Sequence, residues 1–240
     1  MADERLITDF LPYLEHWKGL PHQRAAMQQF WEAVPSSLKK ADSTWVQTWR
    51  AAGKQEQPRQ LTNPLRVPYF SQRDSATGHA LRMCFSSSCA MLLETLKPGT
   101  LIGPNGDDAY LGRVLRYGDT TDHVSQLKAL ASYGIDATLT KHANWKTVQQ
   151  QIDKGIPVPL GFLHKGSASA PAGGGHWLCC VGYADDALIV HDPFGEIDLA
   201  RLTGGYLNNW GACLSYSYRN FGPRWMVEGP GTGWAIIATL

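Results

Sequence analysis

The sequence predicts an α+β fold, with helices early and antiparallel strands late. The apolar spacing is helical through residues 84–96 and 122–131. It turns strand-like in several runs after residue 136, and helices first with antiparallel strands later is an α+β pattern. Five cysteines, an odd number with Cys179 and Cys180 adjacent on one apparent strand, argue against a disulfide framework that would replace a core.

The elements follow in order. Residues 6–52 read as helical: Met27, Phe30, Trp31 and Val34 fall at i, i+3, i+4 and i+7 behind Pro21, and Trp45 and Trp49 repeat the i, i+4 pairing. This makes residues 1–53 a small helical module. GKQEQPRQLTNPLR is polar with two prolines, so residues 54–66 read as a linker and the main domain as 67–240. Within that domain, Phe85, Cys89, Leu92, Leu93 and Leu96 form one helical stripe, and Val124, Leu127, Leu130 and Ala131 another. A strand at 136–140 and a helix at 144–154 precede strands near 156–163, 176–183, 187–193 and 233–239. HKGSASAPAGGG, residues 164–175, is low in complexity and ends at His176.

Charge and hydropathy exclude several classes of function. Twenty-two Lys and Arg against 21 Asp and Glu leave a net charge of +1, which offers no general attraction to nucleic acid or acidic membranes. No apolar run approaches a membrane span, and MADERLITDFLPYL places charges where a signal peptide needs an apolar stretch. A monomer in a cytoplasm, without signal peptide or membrane insertion, is expected.

The chemistry concentrates around MCFSSSCAMLLETL. Cys89 lies on the buried stripe, where a thiol acts as a small hydrophobe. Cys84 lies about 140° around the helix from it, at the helix start, where unpaired N–H groups and the dipole favour a thiolate. A thiol nucleophile needs a base, a group to orient that base and donors for the oxyanion. His176 opens an apolar strand after a glycine run, Asp192 ends the next strand before Pro193, and Gln72 precedes Cys84 by twelve residues in a loop. Each also has an ordinary structural reading: Gln72 as a loop glutamine, His176 as a strand-end histidine, Asp192 as the cap of an Asp-Pro-Phe-Gly turn.

Strand parity supplies a test. His176 and Asp192 share a face across one hairpin only if paired residue numbers sum to an even value. A two-residue Asp185–Asp186 turn gives an odd sum, so a three-residue loop or a bulge is predicted, with His191 facing away. A metal site from His176, Cys179 and His191 lacks a paired-ligand motif, and neither metal nor cofactor is expected.

The strings VPYFSQRD, CFSSSCAMLL, GHWLCCVGY and VHDPFGE resemble those of papain-like cysteine peptidases related to the double-glycine leader peptidases, in the stand-alone form of bacteria and their phages. The resemblance runs from about Val67 to Gly195. It implies a papain-like fold with catalytic Cys84, His176 and Asp192, Gln72 at the oxyanion hole, and Phe85, Gly175 and Trp177 beside the substrate. Many relatives have glycine or asparagine where this chain has Phe85, a departure that bears on the second oxyanion donor and the adjoining pocket. Hydrolysis of an amide through a thioester is the implied reaction. The expected substrate is a peptidoglycan stem or cross-bridge peptide, cleaved by an endolysin-like enzyme that reaches the wall through a holin. The alternatives are a cytosolic peptidase processing a protein or leader peptide, and an inactive relative that only binds.

Overall fold

The computed structural model describes residues 63–199 and 205–239, with scattered positions between 30 and 47. The chain divides into two compact units, Met1–Gln60 and Leu61–Leu240. In the smaller unit Val34 is buried and its N–H bonds the Phe30 carbonyl at 3.1 Å, the helical i−4 pattern. The rest of the helical module, with Trp17, Trp31, Trp45 and Trp49, lies outside the described residues.

In the larger unit the end of the polar linker is already tied down. Asn63 exchanges both side-chain bonds with the Tyr183 backbone, and Leu65 N donates to Val181 O at 2.7 Å. The elements that follow are helices α1 (Cys84–Leu96), α2 (Gly106–Val114) and α3 (His123–Ser132), then β1 (Asp136–Ala143), α4 (Trp145–Asp153) and β2 (Val158–Phe162). After these come a small hairpin of β3 (Lys165–Ser167) and β4 (Ala170–Ala172), then β5 (His176–Tyr183), β6 (Ala187–His191), β7 (Leu214–Ser217), α5 (Tyr218–Trp225) and β8 (Gly233–Thr239). Six strands form one antiparallel sheet in the order β1-β8-β2-β5-β6-β7.

Helix α1 is buried on almost every side, including three serines. Polar groups there need partners: Ser86 meets Thr120 at 2.7 Å, Ser87 donates to Asp107, and Ser88 donates to the Cys84 carbonyl at 2.8 Å. Strand β5 runs between two apolar clusters. Cys179 points into the one with Phe85, Cys89 and Leu92, and Cys180 into the one with Leu178, Leu188 and Trp225. The adjacent pair is therefore period-two core packing, and burial pushes both thiols up.

The stripe expected on α3 is shifted. Val124 is 44% exposed, whereas Gln126 is buried and donates to Ser86 Oγ and the Thr120 carbonyl. The need to satisfy the polar residues of α1 sets the face that α3 presents. The low-complexity segment forms β3 and β4, and α2, α5 and β7 carried no strong local period.

Candidate active site

Cys84 is the first residue of α1 and is half-buried. Met83 before it caps with no side-chain bond, so the first-turn N–H groups have no side-chain acceptor from the cap. Cys89, one turn on, is fully buried, and burial pushes its thiol far up. The two cysteines of this helix thus differ in burial as their angular positions suggest.

Strand β5 delivers His176, and the hairpin to β6 determines which side it faces. The turn is the two-residue Asp185–Asp186 type, with Ala184 N bonded to Ala187 O at 2.8 Å, and Tyr183 pairs with Leu188. That register separates His176 from Asp192. A bulge between Cys180 and Gly182 then shifts it, so that Cys179 pairs with His191 and the parity becomes even. His176 Nε2 meets Asp192 Oδ1 at 2.7 Å, both residues buried. His191 faces the other way, between the Val67 carbonyl and the Cys213 N–H.

Asp192 is held on every polar atom. Its N–H donates to Gly211 O at 2.8 Å, its carbonyl accepts from the Tyr69 hydroxyl at 3.1 Å, and Oδ1 also accepts from Phe194 N at 3.0 Å. The turn that Asp192 caps also sets its carboxylate against the imidazole, since Oδ1 meets both Phe194 N and His176 Nε2. Gly211 is required there: a Cβ would collide with the Asp192 carbonyl oxygen. Oδ2 accepts from the Tyr216 hydroxyl at 3.2 Å.

Burial disfavours the charged imidazole of His176, but the Asp192 carboxylate and the Cys84 sulfur outweigh it and push the ring up to about 10. Cys84 is also a hydrogen-bonding neighbour of that ring. With Nε2 committed to Asp192, Nδ1 is the nitrogen left for the sulfur. His164 lies 5.8 Å from the His176 ring, and burial, followed by the nearby His176, lowers it to about 4.

Cys84 and His176 line one cavity of about 510 Å³, together with Phe85, Gly175 and Trp177. Phe85 stacks flat on Trp177, rings 3.6 Å apart and 2° from parallel, and Trp177 covers Gly161 so closely that a Cβ there would meet the indole at 2.9 Å. The residue that departs from the usual glycine or asparagine is thus half of an aromatic floor. Trp225 and Trp234 complete the apolar lining. Arg224, buried beneath, donates to the carbonyls of Leu163, Lys165, Gly166 and Leu199 and so fastens the β3–β4 hairpin beside the cavity.

Gln72 is not among the lining residues. It is buried in a short 3-10 turn whose N–H bonds Pro193 O at 3.0 Å, and its amide nitrogen donates to Ala80 O at 2.7 Å while Oε1 has no partner. No cluster of metal-ligating side chains occurs among the described residues. Sequence reasoning did not single out Tyr216 as a partner of Asp192, or Arg224; the long-range pairing that brings each to its partner leaves no local signal.

The sequence model of the Peptidase_C39 like family matches residues 64–217, and the chain belongs to that family of cysteine peptidases. Its fold is α+β, with the cysteine-bearing helix packed on an antiparallel sheet. Among solved structures, a Bacillus anthracis protein assigned as a C39-like peptidase is similar at 12% identity and TM-score 0.47, covering 73% of this chain and 95% of its own. The peptidase domain of Streptococcus ComA, a bifunctional ABC transporter involved in quorum sensing, is similar at 20% identity and TM-score 0.41, covering 66% and 91%. A double-glycine-motif protease from an AMS/PCAT transporter, solved with its leader peptide, shows 16% identity and TM-score 0.39, covering 72% and 91%. No curated protein matches the chain.

Proposed function

We propose that the protein hydrolyses an amide bond of a peptide through a thioester on Cys84. The observation that carries this reading is one cavity lined by a helix-start thiol and by an imidazole whose other face is held at 2.7 Å by a buried carboxylate. His176 takes the proton from Cys84, sulfur attacks the carbonyl carbon, and Asp192 stabilises the imidazolium. The Cys84 N–H stabilises the oxyanion, and Gln72, expected from the sequence as the second donor, is bound to the Ala80 carbonyl and would have to turn toward the cavity to join it. His176 then protonates the leaving amine, and water, deprotonated by the same ring, releases the acyl group. No metal or cofactor takes part.

The substrate class is a peptidoglycan stem or cross-bridge peptide. A cavity of about 510 Å³ walled by Phe85, Trp177, Trp225 and Trp234 has room for residues with side chains beside the cut bond. Zymography on purified cell walls, with wild type and Cys84→Ala, tests this. Wall lysis lost in the variant by at least about a thousandfold supports the reading. Cleavage of linear peptides without lysis moves the substrate to proteins or leader peptides, and equal behaviour of the two proteins leaves a binding module.

A further inference from the structure

Asp192 is the most closely held residue of the site, and its two carboxylate oxygens are held differently. Oδ1 accepts from His176 Nε2 and from Phe194 N, while Oδ2 has Tyr216 as its partner among the described residues. Tyr216 comes from a different strand, β7, where it pairs with Leu188 of β6. It is 2% exposed, its ring lies 6.0 Å from that of Phe221, and its oxygen also accepts from Ile197 N at 3.0 Å. The hydroxyl is therefore oriented: with the lone pair engaged by Ile197, the hydrogen goes to Asp192.

We propose that Tyr216 is a positioning residue for the His176–Asp192 pair, its hydroxyl fixing the carboxylate plane through Oδ2 so that Oδ1 stays on His176 Nε2. The inference rests on the hydrolase reading of the site but concerns the charge pair itself. A carboxylate with one oxygen bare in a fully buried setting is less favourable as an anion. The other groups facing Asp192 do not substitute: Tyr69 serves its backbone carbonyl, and His176 already occupies Oδ1. Tyr206 and His164 act on it only through space. Burial, then the Asp192 charge, holds the Tyr216 phenol well above 10, so it remains a donor across the working range.

The test needs no substrate. Iodoacetamide alkylation of Cys84, followed by mass spectrometry of the peptide that contains it, is measured from pH 4 to 9 in wild type, Tyr216→Phe and Phe221→Leu. Tyr216→Phe keeps the ring and removes the hydroxyl. The expected result is an acidic limb moved up by about one pH unit, with roughly tenfold slower alkylation on the old limb. Phe221→Leu loosens the packing around the same ring; it lowers the melting temperature and leaves the limb in place. Coincident wild-type and Tyr216→Phe profiles, or an equal shift in Phe221→Leu, overturn the positioning role while the hydrolase reading stands on the zymogram. A wild-type Cys84 that reacts like an ordinary thiol removes both.

Discussion

The two walls of the cleft are fastened by different means. On the sheet side, Asp192 has a partner on each polar atom, drawn from Tyr69, His176, Phe194, Gly211 and Tyr216. On the helix side, α1 is held mainly by apolar packing of Phe85, Cys89, Leu92 and Leu93, and the buried polar residues bonded to it carry spare acceptors: Asp107 Oδ1 and Gln126 Oε1 have no partner among the described residues. The difference suggests a division of labour. In the proposed mechanism the base keeps one orientation through two proton transfers, which hydrogen bonds specify, whereas the sulfur stays approachable and needs only a rigid helix beneath it.

That comparison can be broken first on the sheet side. Gly211→Ala forces a methyl group onto the Asp192 carbonyl oxygen, and no flexible side chain can yield there. A shift of even part of an ångström in Asp192 is expected to cost about a hundredfold in kcat and about 2 kcal/mol of stability, read by peptide hydrolysis and thermal melting. If activity survives, the tightness of the aspartate's setting is not what catalysis uses.

The helix side should respond to pH rather than to small steric changes. Burial, opposed by the Ser87 hydroxyl and reinforced by Asp108 and Asp74, pushes the Asp107 carboxyl up to about 7 from its ordinary 3.8. A group raised on folding contributes fully below the unfolded value and loses that contribution as pH climbs through the folded one. The loss therefore falls between about pH 4 and 7. Asp107→Asn keeps an acceptor for Ser87 and removes the charge, so its melting temperature should gain on wild type across that window by a few degrees and differ little below it. A gain that does not vary with pH would show that packing, and not charge, distinguishes this wall.

Much of this arrangement was legible before any coordinates, because the signals were local. The span 84–96 shows a helical stripe whose first residue falls off the buried face, and β5 begins where the glycine run stops at His176. Parity required a bulge or a longer loop, and the hairpin supplies a bulge at Val181 alongside the short turn. What escaped was settled by partners distant in the chain. The Gly-, Ser- and Ala-rich stretch before His176 has no strand pattern of its own, yet it pairs as β3 and β4 with Arg224, nearly sixty residues away, on its carbonyls. Val124 looked like core because periodicity counts apolar residues, whereas α3 turned Gln126 inward to serve Ser86. Only the pairing of β7 with β6 brings the Tyr216 hydroxyl to Asp192.

The central claim is that the Cys84 sulfur and the His176 imidazole form a working pair, and competition between two thiols of this chain tests it most directly. Cys213 is exposed and Cys84 half-buried, so access alone makes Cys213 the faster target of iodoacetamide. At pH 6 the pair predicts the opposite order: Cys84 reacting at least about tenfold faster than Cys213, and falling behind it in His176→Ala. Faster alkylation of Cys213 in the wild type, or a Cys84 rate unchanged by His176→Ala, would contradict it.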